Sequence, residues 1–304
     1  VEIPFFVPYF SDSVMKHVLF VLMILAISCH SRTPTQNATY AFMPPKRLAE
    51  LTHAKLGELS GLVASHKHPG LLWTHNDSGN GAEIFLVDTT LNLKLTCILP
   101  AYNRDWEDIA VGPGPDPAKS YVYVGDIGDN DAAYPLKYIY RFEEPDLNPK
   151  KIARITALDT ITFRLADGKK DSEALMIDPK SKSLYVVSKR EKPVYIYELP
   201  FPQSTTDTLV AKKKMSLPIT QIVSASISAK GDEILMKNYE HIYYWKAKPG
   251  ETIEKALTRI PNEVDYDPEP QGEAITWADN GSGFYTISER TLGKTVYLYF
   301  YKRK

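Results

Sequence analysis

The chain has 304 residues, with Lys+Arg at 36 against Asp+Glu at 37 and a formal net charge of -1. Apolar residues make up 43% and charged residues 24%, which excludes a disordered, collagen-like or coiled-coil chain. Near-neutrality also excludes bulk electrostatic binding to DNA or RNA, which needs a basic face, so no nucleic-acid partner is expected.

Residues 18–27 form an unbroken apolar run behind Met15, Lys16 and His17. The run is short for a membrane span, which needs about 20 residues, and fits the h-region of a secretory signal. Leu25-Ala26-Ile27-Ser28-Cys29 resembles the lipobox of bacterial lipoproteins. That resemblance implies a diacylated Cys29, a membrane partner through this anchor, and a place in the bacterial cell envelope on its periplasmic or surface side. A cleaved signal peptide without lipid is the other reading. Residues 1–29 are thus read as upstream residues plus signal, 30–45 as a polar tether, and 46–304 as one domain, expected to be a monomer. With Cys29 lipidated, Cys97 has no disulfide partner, and its apolar setting fits a buried core residue.

An internal repeat organises the domain. An aromatic strand recurs five times at intervals of about 50 residues, as Ile84-Phe85-Leu86-Val87, Ile139-Tyr140-Arg141-Phe142, Ile196-Tyr197-Glu198-Leu199, Ile242-Tyr243-Tyr244-Trp245 and Val296-Tyr297-Leu298-Tyr299. Each is preceded by a second apolar strand, such as Tyr121-Val122-Tyr123-Val124, and by a shorter first strand, such as Ala174-Leu175-Met176-Ile177. A weaker fourth strand follows in three units, at 93–96, 161–164 and 214–217. Four short strands per unit predict an all-β fold, a β-propeller with five blades of four strands. Near-continuous apolar strands suit sheets buried on both faces. The last unit lacks a fourth strand, which residues 48–52 can supply to close the ring and remove an exposed edge. Six blades are the alternative, if 134–165 hides a further degenerate unit. Helices should be few.

First and second strands of a blade are antiparallel neighbours, so the start of one lies beside the end of the other. Ser60, Glu107, Glu173, Ser224 and Glu273 stand before the first strands, and Asn76, Asp126, Lys189, Asn238 and Glu289 after the second. Both columns should ring one mouth of a central channel. Asp77, Asp105, Asp108, Asp129, Asn130, Asp171, Arg190, Tyr239 and Arg290 crowd the same loops. Such crowding of carboxylates is unfavourable unless backbone donors, Lys189 and Arg190, or a bound cation offsets it. Oxygen ligands without cysteine favour Ca2+, with Mg2+ as the alternative, over Zn2+. The expected metal ligands are Glu107, Asp126, Asp129, Glu173 and Glu273. The expected ligand-binding residues are Asn76, Asp77, Asn130, Asn238, Tyr239, Glu289 and Arg290. A purely structural role for the glutamates, bonding backbone amides of the next blade, stays open beside this. His75, just before the Asn76 column, is a further residue of interest.

The chain carries no Gly-x-Ser-x-Gly elbow, no phosphate-binding Gly-x-x-x-x-Gly-Lys-Ser/Thr loop and no His-Glu-x-x-His motif. The segments at 72–79, 105–112, 125–130 and 171–175 resemble a group of uncharacterised bacterial propeller proteins. The Glu-Ala-Leu and Glu-Ala-Ile first strands are distantly similar to phytase-like (esterase-like activity of phytase) propellers. The resemblance implies the propeller fold more than a reaction. The Asp-Asp-Pro-Ala-Ile-Trp segment with which alkaline phytases of that fold bind calcium and phosphate has no equivalent here.

Three functions follow as expectations. The first is a lipid-anchored binding propeller that holds a divalent cation and a small or glycan-like ligand. The second is a calcium-dependent phosphate or carboxylic ester hydrolase, with Glu107 or Glu273 as general base and Lys189 and Arg190 neutralising the developing anion. The third is a protein-interaction scaffold, which would present a large apolar patch at the mouth or rim.

Overall fold

The computed structural model describes residues 41–304, and the chain over this span is nearly all β. The signal, the lipidation site Cys29 and most of the tether lie outside the described residues.

Strand β1 (Lys46–Glu50) comes first. Then β2 (Leu59–Ala64), β3 (Leu71–Asn76), β4 (Glu83–Asp88) and β5 (Leu93–Ile98) form one antiparallel ladder. A second ladder holds β6 (Trp106–Pro113), β7 (Ser120–Asp126), β8 (Lys137–Glu143) and β10 (Asp159–Leu165). Between its last two members, β9 (Ile152–Arg154) leaves to pair in parallel with β5. The third ladder is β11 (Ser172–Ile177), β12 (Leu184–Ser188), β13 (Val194–Leu199) and β14 (Leu209–Leu217). The fourth is β15 (Ser224–Ile227), β16 (Glu233–Lys237), β17 (Ile242–Lys246) and β18 (Asn262–Val264). The fifth is β19 (Ala274–Trp277), β20 (Gly283–Ile287) and β21 (Tyr297–Lys302), completed by β1 on the outer edge of β21. The N-terminal strand therefore pairs where the sequence lacked a fourth strand.

The stretch 134–165 holds β8, β9 and β10, which all join sheets already named. A parallel pairing of β10 with β14 fuses the second and third ladders into one eight-stranded sheet. Helix is confined among the described residues to a 3-10 turn at Ala54–Leu56 and one short helix, α1 (Ile253–Leu257), capped by the Thr252 side chain.

The first strands touch in cyclic order: β2 against β6, β6 against β11, β11 against β15, β15 against β19, and β19 back against β2. Apolar packing follows the same order. Trp73 and Trp106 sit in a cluster between the first and second ladders. Phe163 and Leu175 lie between the second and third, Met176 and Trp245 between the third and fourth, Leu235 and Phe284 between the fourth and fifth, and Leu298 and Leu62 between the fifth and first. Each ladder is apolar on both faces because a core lies on each side of it, which explains the unbroken apolar strands. Cys97 is a free, fully buried member of the first of these cores.

The domain begins earlier than residue 46. Phe42 bridges to Arg303 and packs edge-on against Tyr244 and Phe284, so the end of the expected tether is part of the fold. Where the first strands crowd together, side chains must give way. A Cβ at Gly61 would stand 2.5 Å from His75 Nε2 and 3.2 Å from Asp108 Cα, so this position of β2 tolerates only glycine at the observed spacing.

Candidate functional site: an acidic centre at the ends of the first strands

Three of the five first strands start with an irregularity at the same place. The pairing of β2 with β3 skips Ser60, that of β6 with β7 skips Glu107, and that of β11 with β12 skips Glu173. A bulge leaves one residue out of the ladder and re-aims its side chain. Here it frees Glu107 and Glu173 from ladder alternation, and both point into a shared acidic centre.

Two groups of carboxylates form there, Asp77 with Asp105 and Glu107, and Glu107 with Asp171 and Glu173. Within each group one oxygen from each residue lies within 4.8 Å of the others. Bonds of about 2.4 Å to Ca2+ place opposite ligand oxygens about 4.8 Å apart, so either group is compact enough for one such ion. Glu107 belongs to both groups and is 7% exposed. Its carboxylate makes no hydrogen bond or ion pair among the described residues, Lys189 and Lys137 reach it only through longer-range charge, and its backbone carbonyl accepts from the Ser60 hydroxyl at 3.2 Å. Gly128 makes room for it. A Cβ there would stand 2.1 Å from Glu107 Oε1 and 2.4 Å from Asp105 Oδ2.

Electrostatics follow from this crowding. Burial, then Glu173, Asp77, Asp105 and Asp171, push Glu107 well above the usual carboxylate range. Burial raises Asp77 to about 6, with Asp105 and Glu273 adding to it. Burial raises Glu173 to about 8 against the pull of Lys189. Glu289 also rises to about 8, through burial first and then Glu273 and Asp77.

Two cations enter the centre from the third ladder. Lys189 Nζ donates to Glu173 and, at 3.3 Å, to Tyr239, whose hydroxyl donates to Glu273 at 2.7 Å. Burial would lower the Lys189 ammonium, but Glu173, Glu107 and Glu273 outweigh it and hold its pKa above the ordinary value. Arg190 Nε lies 2.8 Å from Asp171 Oδ2, and its guanidinium also donates to Asn130.

The structure thus brings together Glu107, Glu173, Glu273, Glu289, Asp77, Lys189, Arg190, Tyr239 and Asn130. Other expected residues serve the loops instead. Asp126 faces Arg104 at 3.3 Å and accepts from the Asp105 amide and the Tyr140 hydroxyl. Asp129 accepts from the Ala133 and Tyr134 amides at 2.6 and 3.0 Å. Neither belongs to the two carboxylate groups. Asn76 bonds the Glu58 amide and the Lys55 carbonyl. Asn238 accepts from the Glu240 and His241 amides and donates to the Thr220 carbonyl. Arg290 donates to the carbonyls of Leu51 and His53. His75 is fully buried edge-on to Trp106, its Nδ1 3.1 Å from the Asn76 carbonyl, and burial lowers its pKa to about 4. It is a neutral packing residue.

Lys137 escapes sequence reasoning. It is 1% exposed, donates to the Ile127 carbonyl, and burial lowers it to about 8 against the pull of Asp129, Asp171 and Glu107. It starts β8, outside both polar columns, so the repeat gives no sign of it. The most exposed apolar side chains, Tyr102, Ile260 and Leu292, sit on loops of three different ladders. No protein-family model and no curated protein matches the chain.

Proposed function

We propose that the domain is a five-bladed β-propeller whose acidic mouth binds a divalent cation, Ca2+ rather than Mg2+, together with a small or glycan-like ligand. The cyclic contacts of the first strands and the five inter-ladder cores support the blade count. Glu107 carries the binding reading: a buried carboxylate with no partner of its own, standing where two acid groups meet. Leaving such a group uncompensated costs several kcal/mol in a folded chain, and a hard cation removes that cost. The expected setting is extracytoplasmic and lipid-anchored, on the strength of the lipobox at Cys29 alone. Calorimetric titration with CaCl2 and MgCl2 tests the reading. Saturable heat that disappears in Glu107→Gln supports it. No heat and no change in melting temperature would reject it.

One observation favours ester hydrolysis as a second reading. Glu173, raised to about 8, bonds the Lys189 ammonium, and Glu289, also raised to about 8, stands by Glu273, so proton-transfer groups and an anion-neutralising group share the centre. A phosphatase and esterase panel with added Ca2+ separates the two, and activity surviving both Glu107→Gln and Glu273→Gln would remove the expected bases. A scaffold role finds less support, since the mouth is charged.

A further inference from the structure

The two acid groups that share Glu107 differ in what faces them. In the group with Asp171 and Glu173, each of those two carboxylates already has a cation. Lys189 Nζ donates to Glu173, and Arg190 Nε stands 2.8 Å from Asp171, which also accepts from the Asp129 amide at 2.9 Å. In the other group, Asp77 accepts from the Ser78 amide at 2.5 Å and Asp105 from the Ser78 hydroxyl. No lysine or arginine among the described residues comes within ion-pair distance of Asp77, Asp105 or Glu107. Arg104, the nearest guanidinium in sequence, is turned to Asp126, and Lys137 is bonded to the Ile127 carbonyl.

Building on the cation-binding reading, we propose that the centre takes a single divalent cation, seated between Asp77, Asp105 and Glu107. Lys189 is then a built-in counter-cation that keeps the Glu107–Asp171–Glu173 group closed to a second ion. One observation beyond the clustering of acids points to this seat. Glu107 is more than nine-tenths buried, its carboxylate has no hydrogen bond or ion pair among the described residues, and it reaches into the group with Asp77 and Asp105. Gly128 lets Glu107 Oε1 and Asp105 Oδ2 converge against its backbone, closer than any side chain there would allow. Coulomb energy ranks the seats. A cation among Asp77, Asp105 and Glu107 meets three carboxylates with no ammonium or guanidinium in direct contact, Arg104, Lys137 and Lys189 acting on them only from beyond ion-pair distance, whereas one entering beside Glu173 must displace a covalently tethered ammonium and stand next to it.

Calorimetric titration of the full chain with CaCl2 alone tests this. The expected result is one ion per chain. Asp77→Asn should weaken binding about tenfold or more, the order of one lost carboxylate ligand, whereas Glu173→Gln should change it by less than about threefold. Lys189→Met should raise the stoichiometry to two, by baring Glu173. Should Asp77→Asn fail to fold by circular dichroism, Asp105→Asn carries the same expectation. Two ions bound by the unsubstituted chain, or binding lost in Glu173→Gln and kept in Asp77→Asn, would overturn the seat while leaving the cation reading intact. Silence of the unsubstituted chain would instead reject that reading, and the seat with it.

Discussion

The Ser224 hydroxyl donates to Asp108 Oδ1 at 3.2 Å, although the two residues stand on β15 and β6, with β11 between them in the cyclic order of first strands. The same carboxylate accepts from the amides of Ile109, Leu175 and Ala225 at 2.9, 3.0 and 3.3 Å. One fully buried side chain therefore ties three first strands together, next to a residue, Glu107, that faces the acidic centre. Burial pushes Asp108 well above the usual carboxylate range, and the four donors oppose that shift.

Asp108→Ala should destabilise the domain severely. It strands three buried amides and a hydroxyl, each costing about 1–3 kcal/mol when left unsatisfied. A loss of at least about 3 kcal/mol, or a fall of roughly 6–12 °C in melting temperature, is expected. Urea denaturation checks it. An unchanged midpoint would show that the strands do not depend on this pin.

Metal-free stability should fall as pH rises from about 5 to 8. Asp77, Glu173 and Glu289 have folded pKa values of about 6, 8 and 8, above the ordinary 3.8 and 4.5. A carboxyl raised in the folded state keeps its proton longer there than in the unfolded chain, so the folded state binds more protons in this window and loses stability with increasing pH. A cation bound to the carboxylates reverses the sign, because it competes with those protons. Thermal melts in chelator should decline across this range, and saturating Ca2+ should flatten or invert the slope. A metal-free profile that rises with pH would contradict the crowding.

Glu107→Gln should trade function for stability. Burial and four neighbouring acids disfavour its charge, so a neutral amide of the same shape should raise the metal-free melting temperature by a few degrees, roughly 1 kcal/mol, at pH 8. Towards lower pH, where the raised pKa favours the neutral glutamate, the difference should shrink. Loss of stability at pH 8 would mean that Glu107 has a structural partner after all.

Much of this arrangement is legible in the chain. The five aromatic strands, the two polar columns and the missing last strand follow from apolar periodicity, because each ladder is buried on both faces and must repeat to be covered. The direction of individual side chains is not legible. Asp126 and Glu107 occupy equivalent-looking columns, yet Asp126 pairs with Arg104 while a bulge takes Glu107 out of the ladder and leaves its carboxylate without an ion pair. Asp105 and Asp171 lie one turn of loop away from those columns and still complete the carboxylate groups. Bulges and loop turns depend on contacts between ladders, which no local pattern encodes.

Gly128 gives the sharpest local test of the acidic centre. Its backbone is outside the left-handed region, so alanine meets no conformational penalty there. What alanine meets is the pair of carboxylates, with Glu107 Oε1 and Asp105 Oδ2 inside any real contact distance of the new methyl group. Both side chains must swing apart, which opens the Asp105–Glu107 edge and should weaken Ca2+ binding about tenfold, the order expected when a hard-cation cage loses its geometry. Spreading like charges should leave metal-free stability within about 1 kcal/mol of the parent. Gly57→Ala is the control, since its Cβ would meet only the Ala54 carbonyl, at 3.9 Å. Titration and melting of the two variants side by side decide the matter: equal Ca2+ affinity in both would show that the cation does not sit against Gly128.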